Sequence, residues 1–214
     1  MTIRPRDLKE YLGAPKFLRQ PAAQRQEVGV VNGLAWTSVG GEVMPVEAIA
    51  FPGKGQLRLT GKLGEVMKES AELAMSVVRA RLKRFGADED FFDKHDIHIH
   101  VPEGAVPKDG PSAGVALTCA LMSAVTGLKA SGSYAMTGEI TLHGRVLPIG
   151  GVKEKLLAAY RMGITSILLP RENGSDLEKI DAAILEKLDI ALMDRVDTAL
   201  DAVLIREGEL PSAM

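Results

Sequence analysis

The stretch PKDGPSAGVALTCALMSAVTG, residues 107–127, sets one serine between a turn-forming run and a long apolar run. Asp109, Gly110 and Pro111 are turn and helix-start residues, and serine is a favoured helix N-cap. From Ala113 to Val125 the side chains are small or apolar, so this helix must be largely buried. Three roles are open to Ser112. It caps the helix; or its turn and the helix N-terminus present free N–H groups to a phosphate; or it is a nucleophile whose tetrahedral intermediate the same N–H groups stabilise.

The flanking sequence gives the helix its partners. DIHIHVP (96–102) alternates and ends at Pro102, which reads as a strand with His98 and His100 on one face and Ile97, Ile99 and Val101 on the other. LGEVMKESAELAMSVVRARLKRFG (63–86) places Val66, Ser70, Leu73, Val77, Ala80 and Arg81 near helical spacing, with Gly86 as its stop. Three short β-type runs between Val28 and Leu59, separated by Gly and Pro, read as an antiparallel meander. Downstream, GSYAMTGEITL and GRVLPIGG flank a His143-Gly144 turn, as in a hairpin, and VKEKLLAAYRMG (152–163) reads as a helix stopped by Gly163. ITSILLP and DIALMD read as strands, GSDLEKIDAAILEKL and VDTALDAVLI as helical segments. The expected class is α+β: mixed sheets with an N-terminal β meander and packed helices. A short polar helix, Arg6 to Leu12, ends at Gly13 before Pro15 and Pro21 and reads as a linker or remnant. The organisation expected is a linker over 1–24, one domain over 25–206 and a tail over 207–214.

At 214 residues the chain can bury a sizeable core without staples. Its 26 Lys and Arg nearly balance 28 Asp and Glu, which gives no reason to expect a nucleic acid or an anionic membrane as partner. No apolar run approaches a bilayer span, and the N-terminus lacks the apolar core of a signal peptide. The lone Cys119 cannot form an internal disulfide and sits in ALTCALM, which suggests a small buried hydrophobe in a reducing compartment, hence a cytoplasmic location or a comparable matrix.

A serine nucleophile needs a base. Gly110 and Gly114 flank Ser112 at elbow spacing, but Pro111 is unlike the usual strand-to-helix turn, and no Asp-then-His order follows. His143, the only histidine after the serine, sits in the turn expected between the two runs. The remaining bases are Lys153 and Lys155, on the first turn of an otherwise apolar helix. An exposed lysine stays protonated near ~10.4 and cannot serve; lowering it to ~7–8 takes about 4 kcal/mol, which burial can supply. On a helical wheel both lysines flank the face of Val152, Leu156 and Tyr160, so periodicity does not choose between them, and solvated first-turn lysines remain the simpler reading. A phosphate loop has no Walker sequence behind it: GKGQLRLTGKL (53–63) has Gln56 where the first Gly belongs and Leu63 where Ser or Thr belongs.

PKDGPSAG (107–114) and MTGEITLHGRVLPIGGVKEKLLAA (136–159), together with GLAWTSVGGEVMPVEA, GKGQLRLTGKLGEVMKESAELA and DIHIHVPEGAVPKDGPSAG, closely resemble the proteolytic domain of the Lon family of ATP-dependent serine proteases, bacterial and mitochondrial type. The likeness covers roughly Val28 to Ile205. It implies a Ser–Lys dyad with Ser112 as nucleophile and Lys155, the second lysine of GG-x-K-E-K, as base. It implies that Thr137 hydrogen-bonds the lysine. Glu139 would share a strand face with Thr137 at the edge of the site, and Asp109 belongs to the catalytic loop. His98 and His100 line or brace the site; as a metal pair they lack a third ligand.

The resemblance also implies what lies outside this sequence. A full Lon protein carries an AAA+ ATPase module, which binds ATP and Mg; no Walker motif occurs here, so no cofactor is expected in this domain. RPRDLKEYLGAPKF resembles the end of that module, which makes the chain an excised proteolytic domain with Met1 an added or internal start. The implied partners are unfolded or loosely folded protein substrates, including misfolded and regulatory proteins, the AAA+ module in cis, and other copies in a homo-hexamer.

Overall fold

The computed structural model describes Arg4, Tyr11 and Gly13 and residues 26–37, 40–102 and 109–206. The expected linker helix, apart from Tyr11, and the tail over 207–214 lie outside the described residues. Among the described residues from 26 to 206, eleven strands and six α-helices follow one another in this order: β1 (Glu27–Val28), β2 (Val30–Thr37), β3 (Gly40–Pro52), β4 (Leu57–Thr60), α1 (Glu65–Arg79), α2 (Phe91–Lys94), β5 (His95–His100), α3 (Gly114–Thr126), β6 (Lys129–Ala130), β7 (Tyr134–Met136), β8 (Glu139–Ile140), β9 (Val146–Leu147), α4 (Val152–Arg161), β10 (Ser166–Pro170), α5 (Ala182–Leu185), β11 (Asp189–Met193) and α6 (Val196–Val203). Short 3-10 turns at Leu82–Phe85, Pro111–Ala113 and Arg171–Lys179 complete the path.

One seven-stranded sheet, in the order β11-β10-β7-β2-β3-β5-β4, carries the domain. Pairing is parallel at β11/β10, β10/β7, β7/β2 and β5/β4, and antiparallel on both sides of β3, so β3 alone runs against the others. One apolar cluster gathers α1, α3 and α6 with β3 and β5; a second, around Leu34, Ala135, Val152, Leu156, Ala159 and Ile167, joins α4 to β2, β7 and β10. Open sheets with helices on both faces gather their reactive groups beyond the carboxyl ends of parallel strands. Here those are the ends of β2 and β7, which meet the starts of α3 and α4.

Eleven of the thirteen residues of α3 are buried, which makes this helix the core of the first cluster. Its buried polar groups find partners: Thr118 Oγ1 donates to Gly114 O at 2.8 Å, and Ser123 Oγ accepts from the Gly29 amide at 2.8 Å. Burying an aliphatic side chain such as Leu117 or Leu121 contributes about 1.5–3 kcal/mol. Cys119 is buried and free, and burial pushes its thiol well above the ordinary range, so it is an inert core residue.

The α+β class holds, with three local departures. β2 and β3 form the expected antiparallel hairpin, but β4 does not continue a meander, because β5 lies between β3 and β4 and pairs with β4 in parallel. The start of β5 is seated by Asp96, whose Oδ1 accepts from the amides of Lys54 (2.7 Å) and Gln56 (2.9 Å) in the loop before β4. The buried face of α1 runs through Met67, Ser70, Ala71, Ala74, Val77 and Val78, leaving Val66 exposed. The run after β10 is not one helix: a 3-10 stretch ends at Lys179, and Asp181 then caps α5 by accepting from the Ala183 amide at 2.9 Å. No helix among the described residues is long and apolar enough to cross a membrane.

Candidate active site

Ser112 sits in the 3-10 turn Pro111–Ala113 that feeds straight into α3. Thr137 follows the last residue of β7, and Lys155 projects from the first turn of α4. The fold joins these three distant positions through one hydroxyl. Thr137 Oγ1 donates to the Ser112 carbonyl at 3.2 Å and accepts from Lys155 Nζ at 3.0 Å. The Gly138 amide donates to the same Ser112 carbonyl at 2.9 Å, and the Val115 amide returns to Gly138 O at 3.1 Å, which fastens the serine turn to the end of β7.

Lys155 is 2% exposed, whereas Lys153, two residues earlier on the same turn, is exposed. No ion pair among the described residues involves Lys155. Burial alone lowers its pKa from 10.5 to about 8, because an ammonium loses hydration there and gains no counter-charge. Hydrogen-bond accounting fixes where the amine points. Thr137 spends its hydrogen on Ser112 O, so it meets Lys155 as an acceptor; a neutral amine that gives one N–H to Thr137 keeps its lone pair for another donor.

Asp109 has a structural task in this arrangement. The first residues of α1 lack a capping side chain, since the N-cap is Gly64. Asp109 Oδ1 supplies the cap from the serine turn, accepting from the Met67 amide at 3.2 Å and from the Gly110 amide at 2.9 Å. Gly64 makes room for it: a Cβ there would lie 2.2 Å from Asp109 Cγ. A shallow cleft opens beside Ser112 between Ala35, Trp36, Met44, Met67, Asp109 and Ala113.

The other expected site residues take no part in this hydrogen-bond network. His98 Nε2 and His100 Nδ1 both meet Thr60 Oγ1, at 2.9 and 2.8 Å, on the sheet face opposite Ile97 and Ile99. Among the described residues they belong to no group of three or more metal-ligating side chains. Glu139 opens the small β8/β9 ribbon opposite Leu147 and makes no hydrogen bond to Ser112, Thr137 or Lys155. The cleft walls Trp36, Met44 and Met67, and the capping task of Asp109, were not read from sequence. The one local hint was Gly64, a helix start without a capping side chain, which calls for a cap from another segment.

Fold and site together define an α+β domain that brings the turn of a serine at a helix start and a buried lysine on a neighbouring helix to one threonine hydroxyl. The family described as the Lon protease (S16) C-terminal proteolytic domain matches residues 2–206. The chain is 54% identical over 182 residues to Lon protease of Lachnoclostridium phytofermentans, covering 85% of this chain and 22% of that protein. It is 53% identical over 207 residues to Lon protease 2 of Desulfotalea psychrophila, covering 97% and 27%, and 55% identical over 180 residues to Lon protease of Vibrio parahaemolyticus, covering 84% and 23%. The chain belongs to the Lon proteolytic-domain family, and it spans about a quarter of the length of these relatives.

Proposed function

We propose that this domain hydrolyses peptide bonds with Ser112 as nucleophile and Lys155 as general base. The observation that carries the reading is the buried Lys155 amine, held on Thr137 beside the Ser112 turn with no ion-pair partner among the described residues. Ser112 Oγ attacks the scissile carbonyl while its proton passes to neutral Lys155 Nζ, and the carbonyl π pair moves to oxygen. The amides of Gly110, Gly114 and Val115 are already committed, to Asp109, Pro111 O and Gly138 O, so the oxyanion is assigned to the remaining N–H groups of the Ser112 turn at the helix start. Collapse of the intermediate breaks the C–N bond, and Lys155 returns the proton to the leaving amine. Water then attacks the acyl ester, losing its proton to Lys155; the C–Oγ bond breaks as the second intermediate collapses, Lys155 returns the proton to Ser112 Oγ, and the acid product leaves.

The substrates of this reading are unfolded or loosely folded chains, misfolded and regulatory proteins among them, able to lie in the shallow cleft. ATP and Mg belong to an AAA+ module joined in cis, copies assemble as a homo-hexamer, and the site is cytoplasmic. Hydrolysis of casein by the domain and by its Ser112→Ala and Lys155→Ala variants is the test. Both substitutions abolish turnover while the far-UV spectrum stays native; turnover retained by either variant contradicts the dyad, and measurable ATP affinity of the domain contradicts the division of labour.

A further inference from the structure

The buried Asn173 has no part in the chemistry proposed above. It is 3% exposed, the buried residue of the polar 3-10 stretch Arg171–Lys179. A buried amide is costly unless its N–H groups and its oxygen are paired, and here all of them are. Oδ1 accepts from the Ile149 amide at 2.9 Å, while Nδ2 donates to Ile149 O at 2.9 Å and to Asp176 Oδ2 at 2.9 Å. The Asp176 carboxylate, whose Oδ1 accepts from Lys179 Nζ at 2.9 Å, fixes which end of the Asn173 amide is nitrogen. Ile149 lies two residues past the end of β9, and Asn173 gives its backbone the N–H and C=O pairing that a neighbouring strand would give.

What Asn173 holds is the entry to α4. Between Ile149 and the helix stand only Gly150 and Gly151. A Cβ on Gly150 would meet nothing within 4 Å, and Gly151, the N-cap, holds φ 68° and has no capping side chain. Position 151 has no room for one, since a Cβ there would stand 2.6 Å from Trp36 Cγ. The first hydrogen bond of the helix runs from the Lys155 amide to Gly151 O at 3.0 Å. The path from Asn173 to the lysine is therefore Ile149, two glycines and that hydrogen bond, and the lysine side chain ends on Thr137 Oγ1 at 3.0 Å. Ile149 also packs its side chain on the second apolar cluster, but such packing is non-directional and does not orient the chain that leaves it. We infer that Asn173 is the positioning residue that fixes the first turn of α4 and so holds the Lys155 amine on Thr137. The kinetic consequence rests on Lys155 being the base; the anchoring of α4 does not.

The test joins backbone amide relaxation by NMR to peptide hydrolysis, in wild type and in Asn173→Ala, which leaves the Ile149 N–H and C=O without their partner. In wild type the amides from Gly151 to Lys155 have order parameters near the rigid value of ~0.85. In Asn173→Ala they fall below it or gain microsecond-to-millisecond exchange, while Cys119 inside α3 relaxes as in wild type. kcat drops about 10–100-fold with KM little changed, because a base displaced by about 1 Å loses rate and not substrate contacts. Asn173→Asp keeps the size and the acceptor, loses both donors and sets a carboxylate against Asp176, so it shows the same kinetic split. Adding Asp176→Asn to it supplies a donor to that carboxylate and restores part of kcat, which a side chain needed only for its volume would not do. Unchanged relaxation from Gly151 to Lys155 in folded Asn173→Ala, or in Asn173→Asp where the former does not fold, overturns the proposal. So does loosening as large at Cys119 as at Lys155. Loosening confined to the start of α4 with kcat unchanged upholds the anchor and counts against Lys155 as base.

Discussion

The starts of α3 and α4 place Ser112 and Lys155 in opposite settings. α3 is buried nearly all round, yet Ser112 stands just ahead of it, beside the open cleft. α4 is amphipathic and partly solvated, yet its Lys155 is inside. The difference matches the roles proposed for the two groups. A nucleophile has to be reached by a polypeptide, whereas a lysine base has to be kept from water, since hydration restores its charge. Thr137 links the two by bonding to the serine carbonyl with its hydrogen and to the amine with its oxygen.

The sharpest way to break this contrast is to make the α4 position apolar. Lys155→Met should lower kcat by ~10³-fold or more, the upper range for a lost general base. The same change should stabilise the fold at neutral pH. Lys155 has a folded pKa of about 8 against 10.5 for an exposed lysine, so between these values the unfolded chain binds more protons and stability rises with pH. Its burial cost, about 3 kcal/mol, is therefore fully present below pH 8 and gone above pH 10.5. Denaturant melts of Lys155→Met against wild type should show an advantage at pH 7 that fades across that window; equal stability at pH 7 would mean the amine is hydrated.

Thr137→Val tests the link itself. It keeps the shape and removes both hydrogen bonds, so activity should fall by about 10–100-fold with little change in KM, and Thr137→Ser should restore most of it. Asp109→Ala removes the side-chain cap of α1 and should cost about 1 kcal/mol in stability, with Asp109→Asn costing less because an amide oxygen still caps. The smallest effect belongs to Lys153→Ala: the side chain is exposed, so stability should stay within about 0.5 kcal/mol and peptide turnover should be unchanged.

Much of this was legible in the sequence where the signal is local. The apolar run after Ser112 could only be a core helix, and the strand pattern of DIHIHV gave the correct split of histidine and isoleucine faces. The lysine pair was not resolved by periodicity, since both residues flank the same stripe of α4. What separates them is tertiary packing, the β3 backbone against the first turn of α4 and the Thr137 hydroxyl at the amine, and no helical wheel contains it. The same holds for Asp109, which reads as an ordinary turn aspartate until α1 is placed beside it, 42 residues away in sequence. The position of β4 outside β5 is likewise a matter of long-range pairing, which the spacing of short β runs leaves open.

The most direct measurement of the central claim is the pH dependence of kcat/KM for an unstructured peptide, which reports the free enzyme's essential base. The account predicts a rise governed by a single ionisation near 8, reaching a plateau above it, and absent in Lys155→Met. A flat profile, or a midpoint near ~6.5 as a histidine base gives, would contradict it.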